Sequence, residues 1–198
     1  IIKAAKEVPV MLINGYLNKP NIYSTLCDDY QATYNATTSL LKEGRKKILH
    51  LYTKKSYSGI QKINGYKDAM EDNGYKVDEA YIQSCPGNIH SVKEKLLSLN
   101  EDGLVFDGIL AAEDILAVGG LKYAKSKGIP IPEDLSIIGY NNSILSGCCE
   151  PELTSIDNHV ETLSLTTVNT LMRVLSGNDV PNKTVISTDL VKRNTTIY

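Results

Sequence analysis

The chain has 198 residues, 42% of them hydrophobic, which allows one large domain or two small ones with a core that needs no disulfides. Its net charge is −2, and KEGRKK at 42–47 is its only basic cluster, so the composition excludes an extended basic surface for nucleic acid. The cysteines show neither a C-x-x-C pair nor a histidine at ligand spacing, so reduced cytosolic thiols are expected and no metal site is predicted. The sequence shows no signal peptide and no apolar run of membrane-spanning length, so a cytoplasmic protein without membrane contact is expected.

Short apolar runs recur along the chain and predict strands. They are continuous rather than alternating, which is typical of strands buried on both faces of a parallel sheet. In chain order they are VPVMLI (8–13), KILHLY (47–52), DGILAA (107–112) and LSIIGY (135–140). A shorter run, LTSI, follows, and the short runs TVIS and LVKRN come near the end of the chain.

Amphipathic stretches with clear stop signals lie between these runs and predict helices. The first covers 29–43 and stops at Gly44, another stops at Gly74, and a third begins near Asp114 and stops at Gly128. A further helix places its apolar residues on one stripe, at Ile89, Val92, Leu96 and Leu99. The last helix, 160–176, interrupts the rhythm because no full strand and helix unit follows it.

Repeated strand, helix, strand units predict an α/β fold with right-handed crossovers and helices on both faces of an open sheet. Ligands bind beyond the carboxyl ends of such strands, because loops and helix N-termini converge there. Polar residues follow every one of the longer runs, at Asn14, 53–56, Glu113 with Asp114, and Asn141 with Asn142. Helix capping alone explains some of them, but four polar strand ends together favour a cleft for a polar ligand.

Catalytic motifs are missing from these strand ends. The sequence has no glycine-rich dinucleotide or phosphate loop, no H-E-x-x-H and no G-x-S-x-G. His50, His90 and His159 have no partner at catalytic or metal-ligating spacing, and Asp28 with Asp29 is either a carboxylate pair or the start of a helix. Binding without chemistry is therefore predicted, with no catalytic residue, no cofactor and no metal.

Several sequence blocks, taken in order, carry a resemblance to a known family. IPIPEDLSIIGYNN and PELTSID are followed near the end of the chain by LVKRNTT, and upstream lie CDDYQATYNATTSLLKEGRKKI, KINGYKDAM and ILAAEDILAVGGLKYAKSKG. Together they resemble the effector-binding core of the lac/gal/purine repressor family of bacterial transcription regulators. The match runs over most of the chain, and several motifs in order are more specific than any one alone.

The resemblance implies two similar, doubly wound parallel-sheet subdomains that close on a small ligand, as periplasmic sugar-binding proteins do. On that basis the first subdomain comprises 1–53 with 159–178, and the second comprises 54–157 with 182–198. The first subdomain is expected to be incomplete, because family members carry a helix-turn-helix domain, a hinge and further strand and helix units before the segment that matches VPVMLIN.

The resemblance also implies an effector site. Carried over residue by residue, its candidates are Asn14, Asp28, Lys62, Glu113, Asp114, Asn141 and Asp157. Lys62 stands where the family has an effector-contacting arginine, and Asn141 where it has an aspartate, so the resemblance does not identify the preferred ligand. Asp114 is the candidate most expected to be structural, as a cap on its helix. With 12 tyrosines and no tryptophan, the chain is expected to stack any sugar face on tyrosine.

The function that the resemblance implies is that of a ligand-sensing core whose small polar effector, a sugar above all, binds between the two subdomains. Operator DNA is then bound only through the N-terminal domain that this sequence lacks, and a homodimer is expected because half-site recognition requires paired DNA-binding domains. An extracytoplasmic sugar-binding receptor is the alternative, and an enzyme on a doubly wound sheet is the third possibility. A secretory signal or a helix-turn-helix upstream would discriminate between the first two.

Overall fold

Two separate β-sheets organise the chain in the computed structural model, which describes residues 1–197. The smaller sheet has three parallel strands, in the spatial order β1 (Val10–Ile13), β2 (Ile22–Cys27) and β8 (Lys183–Ile186). The larger sheet has six strands, in the order β4 (Ile82–Ser84), β3 (Ile48–Tyr52), β5 (Gly108–Ala111), β6 (Ser136–Tyr140), β7 (Thr154–Asp157) and β9 (Asp189–Val191). Its strands are parallel except for β9, which pairs with β7 in the antiparallel sense.

The α-helices of the described residues are α1 (Asp29–Lys42), α2 (Tyr57–Asp72), α3 (Ile89–Glu101), α4 (Asp114–Lys127), α5 (Ile144–Cys148) and α6 (Val160–Leu175). The predicted stops at Gly44, Gly74 and Gly128 are confirmed, since these residues follow their helices with φ of 91°, 83° and 65°, a region that glycine adopts at little cost. β2, β4 and α5 are not predicted from the sequence. Serine and threonine interrupt the apolar run of β2, and β4 and α5 have only 3 and 5 residues.

Helices cover both faces of the larger sheet. Successive side chains along a strand point to opposite faces, so Ile48 and Leu110 pack with α1 and α2, whereas Leu49, Ile109 and Ile137 pack with α3 and α4. None of these five side chains is more than 1% exposed. The predicted α/β class, with helices on both faces of a parallel sheet, is confirmed.

The smaller sheet carries α6 as its helical cover. This helix contacts β1 and β2, and its buried residues are Leu163 and Thr167. A row of apolar side chains elsewhere on α6 is exposed, at Leu165, Val168, Met172 and Leu175. The chain therefore returns to the smaller sheet after β7 and leaves it again after β8.

The predicted subdomain boundaries place two strands and a helix with the wrong sheet. β3, inside the predicted segment 1–53, pairs with β4 and β5 in the larger sheet, and α1 packs on α2 beside it. β8, inside the predicted segment 182–198, pairs with β2 in the smaller sheet. A short apolar strand fits either sheet equally well, so the pattern does not reveal that the chain leaves the smaller sheet directly after β2.

α1 and α2 approach each other closely at Gly65. A Cβ at this position would lie 2.3 Å from the carbonyl oxygen of Tyr30 and 3.1 Å from the backbone nitrogen of Tyr34. The same two tyrosines donate hydrogen bonds from their hydroxyls to Asp68, at 2.7 Å, and to Asp72, at 3.0 Å. The contact fixes the start of α1 relative to α2, and with it the residues that follow β2.

Gly65→Ala is expected to lower the free energy of unfolding by roughly 1–3 kcal/mol, because two helix backbones must separate to admit one methyl group. Urea denaturation measures the change. Gly147→Ala is the matched control, since a Cβ there meets nothing within 4 Å and should cost little. Equal stability of Gly65→Ala and the parent protein would contradict the close approach of the helices.

His50 is buried in the middle of β3. Its side chain is 1% exposed, its Nδ1 donates to the carbonyl oxygen of Leu110 at 3.1 Å, and its ring stacks on Tyr66 with centroids 5.3 Å apart. Nε2 has no hydrogen-bond partner within the described chain. Burial lowers the pKa of this imidazole to about 3, so it is neutral in the folded protein at neutral pH.

The free energy of unfolding should therefore fall as the pH drops below 6.5, because the unfolded chain protonates His50 and the folded chain does not until about pH 3. The contribution amounts to about 1.4 kcal/mol per pH unit within that window. His50→Phe should remove it, which urea denaturation of parent and variant at several pH values would measure. The same substitution at the exposed His90 is the control and should keep the slope of the parent.

Candidate functional site

Three crossing segments carry the chain between the two sheets, and they lie side by side. They are Asp28 between β2 and α1, Asn158 with His159 between β7 and α6, and 187–188 between β8 and β9. The Cys27 thiol donates to the backbone oxygen of Asn158 at 3.4 Å, and the Nε2 atom of His159 lies 2.9 Å from the carboxylate of Asp189. The carboxyl ends of β2, β7 and β8 thus meet here, at the kind of edge where open α/β sheets bind ligands.

Asn14 and Asp28 lie on the side of the smaller sheet. Asn14 has a φ of 52°, and its Oδ1 accepts the backbone N–H of Cys27 at 3.1 Å. Asp28 is the N-cap of α1, where its carboxylate accepts the backbone N–H of Gln31 at 3.1 Å. Both side chains are half-buried, and both use one oxygen to fix the backbone beside the crossings.

Lys62 is enclosed by protein rather than open to the cleft. It is 7% exposed, and its ammonium donates to the carbonyl oxygen of Ala112 at 3.0 Å. The same Nζ lies 3.7 Å from the Asp29 carboxylate and 3.3 Å from the ring centroid of Tyr140. Burial lowers the pKa of the ammonium, and the negative charge of Asp29 opposes that shift. Sequence alignment with the family's arginine does not reveal this enclosure.

Asp29 completes the cluster around Lys62, and the sequence-based site omits it. It is 4% exposed, and its Oδ1 accepts the hydroxyl of Tyr140 at 2.7 Å. Burial, together with this carboxylate, raises the pKa of Tyr140 well above its ordinary value, so the hydroxyl stays protonated and donates. The only signal in the sequence is the adjacency of Asp28 and Asp29, which helix capping explains equally well.

Glu113 and Asp114 follow β5 and face different neighbours. Glu113 is half-buried and accepts the hydroxyl of Thr53 at 2.6 Å. Asp114 is 1% exposed, and it accepts both the backbone N–H and the hydroxyl of Ser143 at 2.7 Å and the hydroxyl of Ser155 at 2.6 Å. Asp114 is thus structural, but it anchors the turn after β6 and does not cap its own helix, whose N-cap position is Glu113.

Asn141 carries its carboxamide at the exposed end of β6, with a φ of 98°. Its backbone N–H donates to the carbonyl oxygen of Ile156 at 2.8 Å, and its Oδ1 accepts the Nδ2 of Asn158 at 3.1 Å. Within residues 1–197 its own Nδ2 makes no hydrogen bond. The amide therefore offers donors, rather than its acceptor, to any ligand beside the turn.

Asn142 and Asp157 are bound to each other. The Nδ2 of Asn142 donates to Oδ2 of Asp157 at 3.1 Å, and its Oδ1 accepts the guanidinium of Arg193 at 2.8 Å. The other oxygen of Asp157 accepts the backbone N–H of His159 at 2.8 Å. Asn142, His159 and Arg193 are absent from the sequence-based site, although Asn142 is visible in the sequence as the second amide after β6.

Two small pockets flank the crossing segments. One, of about 290 Å³, is lined by residues of the β6 turn and of the second crossing, among them Asn141, Asp157 and His159. The other, of about 180 Å³, is lined by Asp28, Tyr57 and neighbours from β2, β8 and the first turns of α1 and α2. Asn14, Lys62 and Glu113 line neither pocket. The predicted residues are thus brought to one region but are divided between its two sides.

An aromatic pair bridges the two sheets beside the smaller pocket. Tyr16, in the loop after β1, and Tyr57, at the start of α2, have ring centroids 5.7 Å apart. The ammonium of Lys183 lies 5.1 Å from the centroid of the Tyr16 ring. The composition predicts that a sugar stacks on tyrosine but does not say which one, and these two tyrosines are the candidates.

The arrangement favours binding of a polar ligand. Carboxylates, amides and a tyrosine hydroxyl converge, whereas the one thiol in the region, Cys27, is protonated because burial raises its pKa to about 11. Within the described chain, no three His, Cys, Asp or Glu side chains are placed to share a metal ion. None of the helices described is both long and apolar enough to cross a bilayer.

Known proteins resemble this chain over most of its length. Residues 37–196 match the model of the periplasmic binding protein-like domain family. A helix-turn-helix-type transcriptional regulator of Lachnoclostridium phytofermentans is 59% identical over 198 residues, which is 100% of this chain and 60% of that protein. The regulator AscG of Escherichia coli is 28% identical over 194 residues, 98% of this chain and 58% of AscG. The chain thus spans about three fifths of these relatives.

Solved structures agree in fold. The E. coli transcriptional repressor AscG superposes with a TM-score of 0.87 at 28% identity, covering 100% of this chain and 72% of that one. A sugar-binding transcriptional regulator of the LacI family from E. coli, complexed with phosphate, superposes with a TM-score of 0.88 at 28% identity, covering 99% and 70%. The chain therefore belongs to the periplasmic binding protein-like domain family, as the counterpart of the effector-binding core of LacI-family transcription regulators.

Proposed function

We propose that this chain is the ligand-sensing core of a cytoplasmic bacterial transcription regulator, which binds a small polar effector, a mono- or disaccharide or a related polyol, between its two sheets. The observation that carries the proposal is the convergence of polar strand ends from both sheets at three adjacent crossing segments. The relatives named above are helix-turn-helix regulators, so they support a regulator over the extracytoplasmic receptor. Operator DNA is contacted through a DNA-binding domain outside this chain.

We infer that the functional lobes follow the sheets. The first lobe then comprises 1–27 with α6 and β8, and the second comprises α1 to β7 with β9 and residues 192–197. Only the crossing segments join the two lobes covalently, and an effector held between them draws the lobes together. In the full regulator this closure is transmitted to the DNA-binding domain.

The donors and acceptors that the protein does not use internally match those of a sugar. The Nδ2 of Asn141 donates outward because Asn158 occupies its oxygen, whereas the carboxylates of Asp28 and Glu113 accept. Sugar hydroxyls both donate and accept, so a sugar can pair with groups of both kinds. Tyr57 supplies an aromatic face beside Asp28 on which a sugar ring stacks.

Asn141→Ala and Asn141→Asp are both expected to weaken effector binding by about 5- to 150-fold. This corresponds to roughly 1–3 kcal/mol for a polar group of the effector that binding buries without a partner. The aspartate keeps an acceptor for Asn158 but loses the outward donor. A panel of sugars and polyols screened by thermal shift on the full-length protein identifies the effector, and calorimetry then gives the affinities.

Asn35→Ala is the matched control, because Asn35 is an exposed amide on α1 that bonds only to Gln31. Lys62→Ala should behave differently from the Asn141 variants: it leaves the buried Asp29 without its cation and lowers the stability of the fold itself. Unchanged affinity in both Asn141 variants would remove this residue from the site. A panel without a stabilising sugar or polyol would overturn the proposed effector class.

We also propose that the complete regulator is a homodimer to which α6 contributes. Val168 and Met172 belong to the exposed apolar row of α6, at 57% and 58% exposure, and the whole helix carries only Glu161 and Arg173 as charged residues. A long apolar face of this kind favours contact with another protein surface.

The full-length protein should sediment as a dimer at micromolar concentration. The double variant Val168→Glu, Met172→Glu should shift it towards monomer, because two carboxylates would be buried in the interface. Ile60→Glu, at an exposed apolar residue of α2, is the control and should leave the dimer intact. A monomer at micromolar concentration, with and without effector, is the result that contradicts the proposal.

A further inference from the structure

A continuous path of hydrogen bonds links the turn after β6 to the second and third crossing segments. It begins at Arg193, which donates to Oδ1 of Asn142 at 2.8 Å, and passes from Nδ2 of Asn142 to Oδ2 of Asp157 at 3.1 Å. Oδ1 of Asp157 accepts the backbone N–H of His159 at 2.8 Å, and Nε2 of His159 lies 2.9 Å from Oδ2 of Asp189. Because Asp189 is the first residue of β9 and Arg193 lies two residues after its end, β9 closes the path into a ring.

Asn142 is the junction of this ring. Its φ is 46°, a left-handed conformation that asparagine tolerates better than most residues. Its carboxamide accepts from Arg193 and from the hydroxyl of Ser146, at 3.2 Å, while donating to Asp157, and its backbone N–H donates to the hydroxyl of Ser155 at 3.0 Å. A carboxylate of the same shape would keep the acceptors but lose the donor and face another carboxylate.

The neighbouring Asn141 extends the same connection towards the cleft. Its backbone N–H is bound to Ile156 and its side-chain oxygen to Asn158, so it is attached both to β7 and to the second crossing. Asn158 in turn accepts the thiol of Cys27, at the end of β2, through its backbone oxygen. The amide that faces the proposed effector therefore sits on a turn whose hydrogen bonds lead to the second crossing and to Cys27 and Asp189, the residues next to the other two.

His159 connects two of the crossings directly. Its φ is 47°, its imidazole has Nδ1 at 3.7 Å from Asp157 and Nε2 at 2.9 Å from Asp189, and these two carboxylates belong to different strands. Asp157 and Asp189 are also direct partners in the antiparallel register of β7 and β9. The imidazole thus spans the place where the chain leaves the larger sheet and the place where it re-enters it.

We propose that Asn142, with Asp157 and His159, is a positioning unit that makes the cleft turn and the crossing segments move as one body, so that an effector held by Asn141 acts on the hinge. This inference rests on the proposed effector site and adds to it the route by which that site is regulated. None of the three needs to touch the effector, and Asn142 acts through its two side-chain partners.

Hydrogen exchange of backbone amides in the full-length protein, without any effector, tests the unit. Asn142→Asp is expected to speed exchange at least 10-fold, or about 1.4 kcal/mol of local opening, at Asn141, His159 and the third crossing. Amides of α3, which packs on α4 and shares no hydrogen bond with the unit among the described residues, should keep their exchange rates. Asn142→Ala should give the same pattern.

Rescue separates positioning from a general loss of stability. Combining Asn142→Asp with Asp157→Asn exchanges donor and acceptor, so the new carboxylate at 142 accepts from the new amide at 157 and still accepts from Arg193. The double variant should return the crossing amides to within about 3-fold of the parent, although each single change disturbs them, because the partners then regain their pairing.

Three results would each overturn the inference. They are unchanged exchange rates in Asn142→Asp, an equal rise of the exchange rates in α3, and a double variant that fails to restore the rates of the crossing amides. No effector enters the measurement, so such a failure leaves the proposed function standing. Conversely, a sugar panel without a stabilising compound would leave the measured unit standing while removing its proposed purpose.

Discussion

The ammonium of Lys62 imposes the constraint on which the centre of the molecule depends. A cation that is only 7% exposed must be compensated within the protein, and here the Asp29 carboxylate, the Ala112 carbonyl and the face of the Tyr140 ring surround it. These groups come from the start of α1, the end of β5 and the end of β6, while the lysine itself comes from α2. One buried charge thus draws four elements together beneath the cleft, and the crossing segments are built on that base.

Polar groups around the proposed cleft use only part of their hydrogen-bonding capacity within the fold. Asn14, Asp28, Glu113 and Asn141 each give one oxygen to a neighbour within the protein. The first bond fixes the direction of the donors and acceptors that stay unused. The proposed site is therefore ordered before any ligand binds, and the entropy of ordering those side chains is already lost in folding. Specificity then follows from the unused donors and acceptors rather than from the residue types alone.

The sequence predicts local structure well where a physical rule acts on neighbouring residues. Continuous apolar runs identify β1, β3, β5 and β6, and glycine with positive φ ends three helices where it is expected. Assignment to a sheet fails for β3 and β8, because pairing partners are not encoded in the pattern of a single strand. The burial of Arg45, in the basic cluster, is not encoded in its neighbours either. This residue is only 9% exposed because it donates to Ser136 and to the backbone of Glu133, both distant in sequence.

The site is predicted less completely than the fold. Family motifs point to the region of the crossing segments, but they do not distinguish Asp114, which anchors a turn, from Glu113, which precedes it. Asn142 and His159 depend on contacts with residues distant in sequence, such as Arg193 and Asp189, and no local pattern carries that information.

The antiparallel direction of β9 has a mechanical consequence for the hinge. Because β9 runs against β7, its first residue, Asp189, stands beside the last residue of β7, and the link from β8 needs only residues 187–188. The other two links are as short, with one residue at Asp28 and two at Asn158 and His159. A two-residue link lets the residues that flank it stand no farther apart than about 11 Å, so the two sheets have little slack with which to slide apart. Relative motion of the two sheets is then left as a twist or a bend about an axis through the three links. On the proposed division into lobes, a torque applied at one side of the proposed cleft would turn the far end of the smaller lobe.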